Sequence, residues 1–303
     1  MKAKTALPVG QEAIREKGWW KAYRFLILRR ASQAVFLSLF LLGPWFGLWL
    51  VEGTLAGSRT LGVLPLTDPL VLLQGLVAGH WPELTALTGA LIVLVAYALL
   101  GGRSYCSWVC PINPVTDAAH WLHDRLDLPK GWQPKRHTRL WLLGAVLATS
   151  ALTGTIAWEL VNPITMLHRG LVFGLGFAWA LVALVFLFDL FVSRRGWCGH
   201  LCPVGAFYGL VGHKSLLRVT ASKRAACDGC MDCFAVCPEN HVISPALRGK
   251  GAETPLILSP DCTNCGRCID VCSVDVFAFT HRFDPRIEAT PEPSPDAPDE
   301  MAA

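Results

Sequence analysis

The sequence predicts an all-α membrane protein with four transmembrane helices, joined to a small α+β domain near its C-terminal end. Two observations carry this expectation. Four long stretches contain no charged residue, and two runs of four cysteines follow one another late in the chain.

The apolar stretches come first. The chain has 303 residues, 52% of them hydrophobic and only 17% charged, with 12 tryptophans. That is too apolar for an ordinary soluble protein. Ala31–Val51, Leu84–Gly102, Leu140–Trp158 and Gly170–Phe188 each run 19 to 21 residues without a charge. A helix of that length spans a hydrocarbon core of about 30 Å. The apolar segment Pro69–Pro82 has only 14 residues and is expected at the outer surface or as a re-entrant piece.

Basic residues set the expected orientation. The first 30 residues hold eight, residues 103–139 hold six and residues 194–226 hold six, whereas residues 52–83 and 159–169 hold one each. Basic residues stay inside, so both termini are expected in the cytoplasm of a bacterial inner-membrane, multi-pass protein. Eight basic residues ahead of the first apolar stretch also argue against a signal peptide. All twelve cysteines then face a reducing compartment, where metal ligation is the default explanation. The net charge of +4 reflects the membrane-flanking residues and does not suggest nucleic acid.

The cysteine runs are Cys227-x2-Cys230-x2-Cys233-x3-Cys237-Pro and Cys262-x2-Cys265-x2-Cys268-x3-Cys272. Three closely spaced thiolates grip three corners of a [4Fe–4S] cube, and the fourth ligates the other cube. The expected wiring is Cys227, Cys230, Cys233 and Cys272 on one cluster, and Cys262, Cys265, Cys268 and Cys237 on the second. Zinc sites present two separated cysteine pairs instead. Four regions follow: a basic cytoplasmic segment (1–30), a four-span membrane domain (31–221), a two-cluster ferredoxin-like cytoplasmic domain (222–283) and a disordered acidic tail (284–303).

The membrane part reads as a duplication. Each half contains an Asp-Pro or Asn-Pro turn, Asp68-Pro69 or Asn162-Pro163, and closes on a Cys-x3-Cys-Pro motif. Cys106 and Cys110 form the first pair, and Cys198 and Cys202 the second. The four could hold a third iron–sulfur centre, serve as exchange thiols, or pack as small buried residues. Four ionisable residues near span ends, Glu159, His168, Asp68 and His80, are candidates for a quinol site, which needs a proton acceptor beside an apolar cleft. Ordinary interface polarity is the competing explanation. Asp189 is expected to pair with Arg194 or Arg195.

Several motifs together resemble the NapH family, ferredoxin-type membrane subunits of periplasmic nitrate reductase systems. They are Lys17-Gly-Trp-Trp20, Gly43-Pro-Trp-Phe46, Pro65-Leu-Thr-Asp-Pro69, Tyr105-Cys-Ser-Trp-Val-Cys-Pro111, Gly196-Trp-Cys-Gly-His-Leu-Cys-Pro203 and both cysteine runs. Ser273 stands where proline usually follows the last cysteine. The resemblance implies quinol as electron donor from the membrane quinone pool and a periplasmic iron–sulfur partner of the NapG type. A c-type cytochrome and the nitrate reductase would lie downstream. It leaves two rivals: a related ferredoxin of the methylamine-utilisation type, and a metal-reducing or oxidase-assembly protein. The chain lacks a Cys-x-x-Cys-His haem motif and a nucleotide fingerprint, so it is expected to relay electrons.

Overall fold

The protein is represented by a computed structural model that describes residues 8–129, 131–174, 176–249 and 254–284. The proposed acidic tail therefore lies outside the described residues, apart from Asp284. The chain starts with two short helices, α1 (Gln11–Lys17) and α2 (Trp19–Ala22), that lead into the long α3 (Arg24–Phe46). An antiparallel meander follows, β1 (Val51–Gly53), β2 (Gly57–Thr60) and β3 (Leu64–Thr67), in register Val51↔Thr60 and Gly57↔Thr67. The segment from Pro69 forms α4 (Pro69–Val77), with Asp68 as its cap.

The expectation of four spans does not hold. Among the described residues only α3, with 23 residues, is long and apolar enough to cross a membrane. The other apolar helices are α5 (Leu84–Leu100), α8 (Thr138–Thr153) and α10 (Phe177–Phe191), with 17, 16 and 15 residues. At 1.5 Å per residue they reach roughly 22–26 Å. Glycine is the physical reason for the shortfall. Gly101 (φ +100°) ends α5, and Gly154 (φ +66°) ends α8 before a 3-10 turn over Ala157–Leu160. Gly174 (φ +91°) divides the fourth stretch, leaving α9 (Pro163–Phe173) separate from α10. An uncharged run was counted as one helix where the backbone turns. The three-stranded meander is a second departure from an all-α membrane part.

Three helices complete this half: α6 (Ser104–Trp108) and α7 (Ile112–Arg125) after α5, and α11 (Pro203–Val211) after the π-turn Trp197–Leu201. Its core gathers Tyr105, Ile112, Val185, Val204 and Tyr208, with Tyr105 and Tyr208 stacked at 4.9 Å. The C-terminal unit opens with β4 (Leu217–Thr220) and carries α12 (Asp232–Val236), α13 (Ile243–Arg248) and α14 (Arg267–Val271). It closes with β5 (Ala278–His281), paired antiparallel to β4. Val219, Ile243, Ile257, Val276 and Phe277 form its own core.

The N-terminal segment is stitched to this last unit. The backbone N–H of Gly10 donates to Asp232 at 2.8 Å, and those of Phe25 and Leu26 donate to Asp270 at 3.1 and 2.9 Å. The Lys17 ammonium donates to the Ile269 carbonyl at 2.8 Å. The cysteine-rich unit therefore sits at the N-terminal end of α3.

Candidate iron–sulfur centres

Each cysteine run folds as a tight loop running into a short helix. In both loops the residue before the second cysteine (Gly229, Asn264) and the residue after it (Met231, Gly266) take positive φ. Left-handed residues on both sides of a cysteine curl the backbone round a common centre, the shape that a cube held by three thiolates requires. Gly266 has a further reason to lack a side chain: a Cβ there would lie 2.5 Å from Phe25 of α3.

The two loops exchange their fourth cysteines. The Cys233 thiol is pushed up to about 12, first by burial and then by its neighbours Cys230, Cys227 and Cys272. Burial also raises Cys237, and the neighbouring thiols of Cys265 and Cys262 raise it further. Cys237, Cys262, Cys265 and Cys268 together line one small cavity. Mutually repelling buried thiols round a gap are the donor set an iron–sulfur cube would hold deprotonated, so the residues fit such a group. When bound, a cube of this kind supplies one-electron transfer.

The two sets differ in surroundings. Cys227 and Cys230 are exposed. Cys265 is buried, which alone would raise its thiol, yet nearby Arg29 and Arg267 bring it below its ordinary value. Arg195 lies within electrostatic reach of Cys237 and Cys265 as well.

The Cys-x3-Cys pairs also converge, although not on one helical face. Cys106 lies in α6 and Cys110 after its end, while Cys198 lies in the π-turn and Cys202 caps α11. Both motifs close with the same backbone bond, from the second cysteine to the carbonyl five residues earlier: Cys110 to Tyr105 at 3.0 Å and Cys202 to Trp197 at 2.9 Å. Burial raises Cys198 well above its ordinary value, and Cys202, Cys110 and Cys106 are among the neighbours that add to this. A polar cavity lined by Cys106, Cys198 and Cys265 separates this quartet from the second loop.

Of the arginines around that cavity the sequence singles out only Arg195, and that as a partner for Asp189. Arg103 and Arg195 stand three residues before Cys106 and Cys198, so each half carries Arg-x-aromatic-Cys-x3-Cys-Pro. That repeat was the available signal. Arg103 donates to Glu239 at 2.8 Å, to the Asp261 carbonyl at 2.8 Å and to the Cys198 carbonyl at 3.1 Å. Glu239, His241 and Asp261 present ligand atoms within 4.8 Å of one another, but Arg103 and Arg139 already pair with the two carboxylates.

The four candidate quinol residues sit elsewhere. Asp68 accepts from the Leu70 N–H at 2.9 Å and lies 3.5 Å from the Tyr208 hydroxyl. Burial, with a contribution from Glu159, pushes its carboxyl up to about 6. Glu159 accepts from the Asn162 amide at 2.8 Å. His80 meets the Gly154 carbonyl at 2.9 Å, and buried His168 packs edge-on to Phe40 at 5.8 Å. Asp189 accepts from the Trp197 N–H at 2.8 Å, while Arg194 pairs with Asp124 instead.

Comparison with known proteins agrees with this layout. Residues 83–129 and 175–222, each of which contains one Cys-x3-Cys-Pro motif, match a 4Fe-4S binding domain. Residues 226–276 match a 4Fe-4S dicluster domain. The chain is 51% identical to the ferredoxin-type protein NapH of Escherichia coli, over 90% of this chain and 95% of that protein. It is 56% identical to the methylamine utilization ferredoxin-type protein MauN of Paracoccus denitrificans, over 90% and 96%. No solved structure matches. With half or more of its residues shared across nine-tenths of its length, the chain belongs to the NapH and MauN family of ferredoxin-type, 4Fe-4S electron-transfer proteins.

Proposed function

We propose that this protein is a membrane-anchored electron-transfer subunit that takes electrons from quinol and passes them through iron–sulfur centres toward periplasmic nitrate reduction. The observation that carries the reading is the succession of three cysteine sets. The Cys106/Cys110/Cys198/Cys202 quartet, the arginine-lined cavity and the set built on Cys265 adjoin one another, and the exposed set with Cys227 and Cys230 follows. Two [4Fe–4S] clusters occupy the C-terminal unit in this reading, and a third centre occupies the quartet.

The anchor is α3, entered through a basic segment rich in tryptophan; Trp19 and Trp20 are exposed beside it. The basic lead-in supports a cytoplasmic position, at a bacterial inner membrane, for the N-terminal end of α3 and with it the cysteine-rich unit. Downstream partners are a periplasmic iron–sulfur protein of the NapG type, a c-type cytochrome and the nitrate reductase. A second reading, service to methylamine oxidation, is favoured by the equally high identity to MauN. Both share the quinol and cluster steps.

Redox-titrated EPR of the purified protein, with and without quinol, tests the reading. Three titrating centres reducible by quinol are expected. Centres that dithionite reduces and quinol does not would remove quinol from the function.

A further inference from the structure

A cavity of about 410 Å³ lies where α2 and the start of α3 meet α7, α12 and α14. That volume suits a small-molecule ring. α12 and α14 carry Cys233 and Cys268 and run into Cys237 and Cys272, so an occupant would lie beside both cysteine sets of the C-terminal unit. Sequence reasoning had placed its quinol candidates elsewhere, and none of them lines this cavity.

Its walls are of two kinds. Ile14, Leu26, Trp121, Val236 and Val271 form an apolar side, and a cluster of arginines and aspartates forms the other. Most of those charges are spent on one another. Arg30 and Arg267 pair with Asp117, and Arg194 pairs with Asp124. Asp270 accepts the backbone N–H groups of Phe25 and Leu26. Arg29 is left over. It is 1% exposed, and its Nε and Nη1 have no hydrogen-bond partner; Arg195 Nε has none either. Buried donors without an acceptor are costly; Arg29 stands between Cys265 and this cavity, and on the cavity side its donors suit an occupant that brings acceptor oxygens. The apolar wall requires that the same occupant be largely hydrocarbon.

We propose that this cavity holds the ring of a membrane quinol, with Arg29 and Arg195 facing its oxygens and the isoprenoid chain leaving along the apolar wall. The proposal rests on the quinol-oxidising reading above and supplies its location. Oxidation breaks the two O–H bonds of the ring. Two electrons leave singly for two one-electron iron–sulfur acceptors on the α12 and α14 side, and two protons leave toward water. Asp124, half exposed at the rim, and His120 beside it give the protons a polar exit. A soluble anion such as phosphate would satisfy Arg29 but would leave the apolar wall against water.

The test uses the full-length protein in lipid nanodiscs with an azido-quinone photoprobe, followed by peptide mapping. Label is expected on peptides carrying Leu26 and Trp121, displaced by unlabelled quinone. Ala235→Phe, which fills the cavity from α12, should weaken labelling at least tenfold while iron content stays at the wild-type level. Ile14→Trp fills it from α1 and serves if the first variant loses iron. Label on peptides with Asp68 and Glu159 would overturn this site and leave quinol oxidation standing. Label unaffected by both cavity-filling variants, or displaced by inorganic phosphate as well as by quinone, would also overturn it. Absence of label together with centres that quinol cannot reduce would remove both the site and the reading on which it rests.

Discussion

Arg103 and Glu239, 136 residues apart, form an ion pair at 2.8 Å in which the side chains are 2% and 3% exposed. The arginine stands three residues before Cys106, and the glutamate two after Cys237. One buried pair thus fastens the Cys-x3-Cys quartet to the C-terminal unit. Removing Arg103 leaves buried Glu239 with the more distant Arg139, at 3.3 Å, so the cost lies at the low end of the about 3–5 kcal/mol of a broken buried pair. Arg103→Gln should therefore lower unfolding stability by roughly 3 kcal/mol. The double variant with Glu239→Gln should lose less than the sum of the singles, since both report one interaction. Strict additivity in denaturant titrations would show that the pair is not coupled.

Unequal surroundings predict unequal potentials for the two sets in the C-terminal unit. Arg29, Arg195 and Arg267 lie near Cys237 or Cys265, while Cys227 and Cys230 face water. Fixed positive charge in a buried site favours the reduced, more negative cluster. The set with Cys265 should have the higher potential, and Arg195→Gln should lower it by on the order of 60 mV, a tenfold change for a one-electron couple. EPR-monitored titration of both centres reads this directly. Equal shifts in the two centres would contradict a local effect.

Substitution of the cysteines separates the three sets. Cys230→Ser and Cys265→Ser should each remove one cluster's iron. Single serine substitutions at Cys106, Cys110, Cys198 and Cys202 should all give one and the same loss. If iron content is unchanged and the two pairs behave differently, the quartet consists of thiols or packing residues.

Acid should loosen the seam between α7 and α14. Burial alone would raise the Asp117 carboxyl, but Arg267, Arg195 and Arg30 hold it well below the usual carboxylate range. Its folded value is depressed. The stability it contributes is therefore complete above its unfolded value, about 4, and disappears as pH falls through the folded value. Asp117→Asn should be less stable than wild type at pH 7, and the gap should narrow below about pH 4. A gap that stays constant from neutral pH to strong acid would mean that ionised Asp117 does not hold the seam.

The parts legible in the sequence were those encoded by local spacing. The intervals among Cys227, Cys230, Cys233 and Cys237 specify a loop entering a helix, whatever surrounds them. Repeated Cys-x3-Cys-Pro was legible in the same way, and each copy lies in a segment, 83–129 or 175–222, that matches a 4Fe-4S binding domain. Span lengths were misjudged because absence of charge reports solvent preference and not backbone path. Gly101, Gly154 and Gly174 turn the chain inside stretches that hydropathy treats as continuous. The cavity near Arg29 was illegible for a different reason. Its walls come from residues 9 and 271 and from points between, and an arginine beside a span reads as an interface anchor until its neighbours are known.

The stitching of Gly10, Phe25 and Leu26 to Asp232 and Asp270 has a consequence for how the molecule is made. The partners are 222 to 245 residues apart, so each N-terminal partner waits until more than 220 further residues have been made. Until then the apolar side of α1 and α2 and the guanidinium of Arg29 have nothing to bury them. Closure of the molecule thus comes late, and pairings this distant in sequence form slowly. Cofactor insertion into the α12 and α14 loops must either precede that closure or use the side of the unit turned away from the N-terminal segment. Cys227 and Cys230 stay exposed after closure. A bulky fusion ahead of Gly10 should therefore interfere with maturation more than with synthesis, giving full-length chains that lack iron.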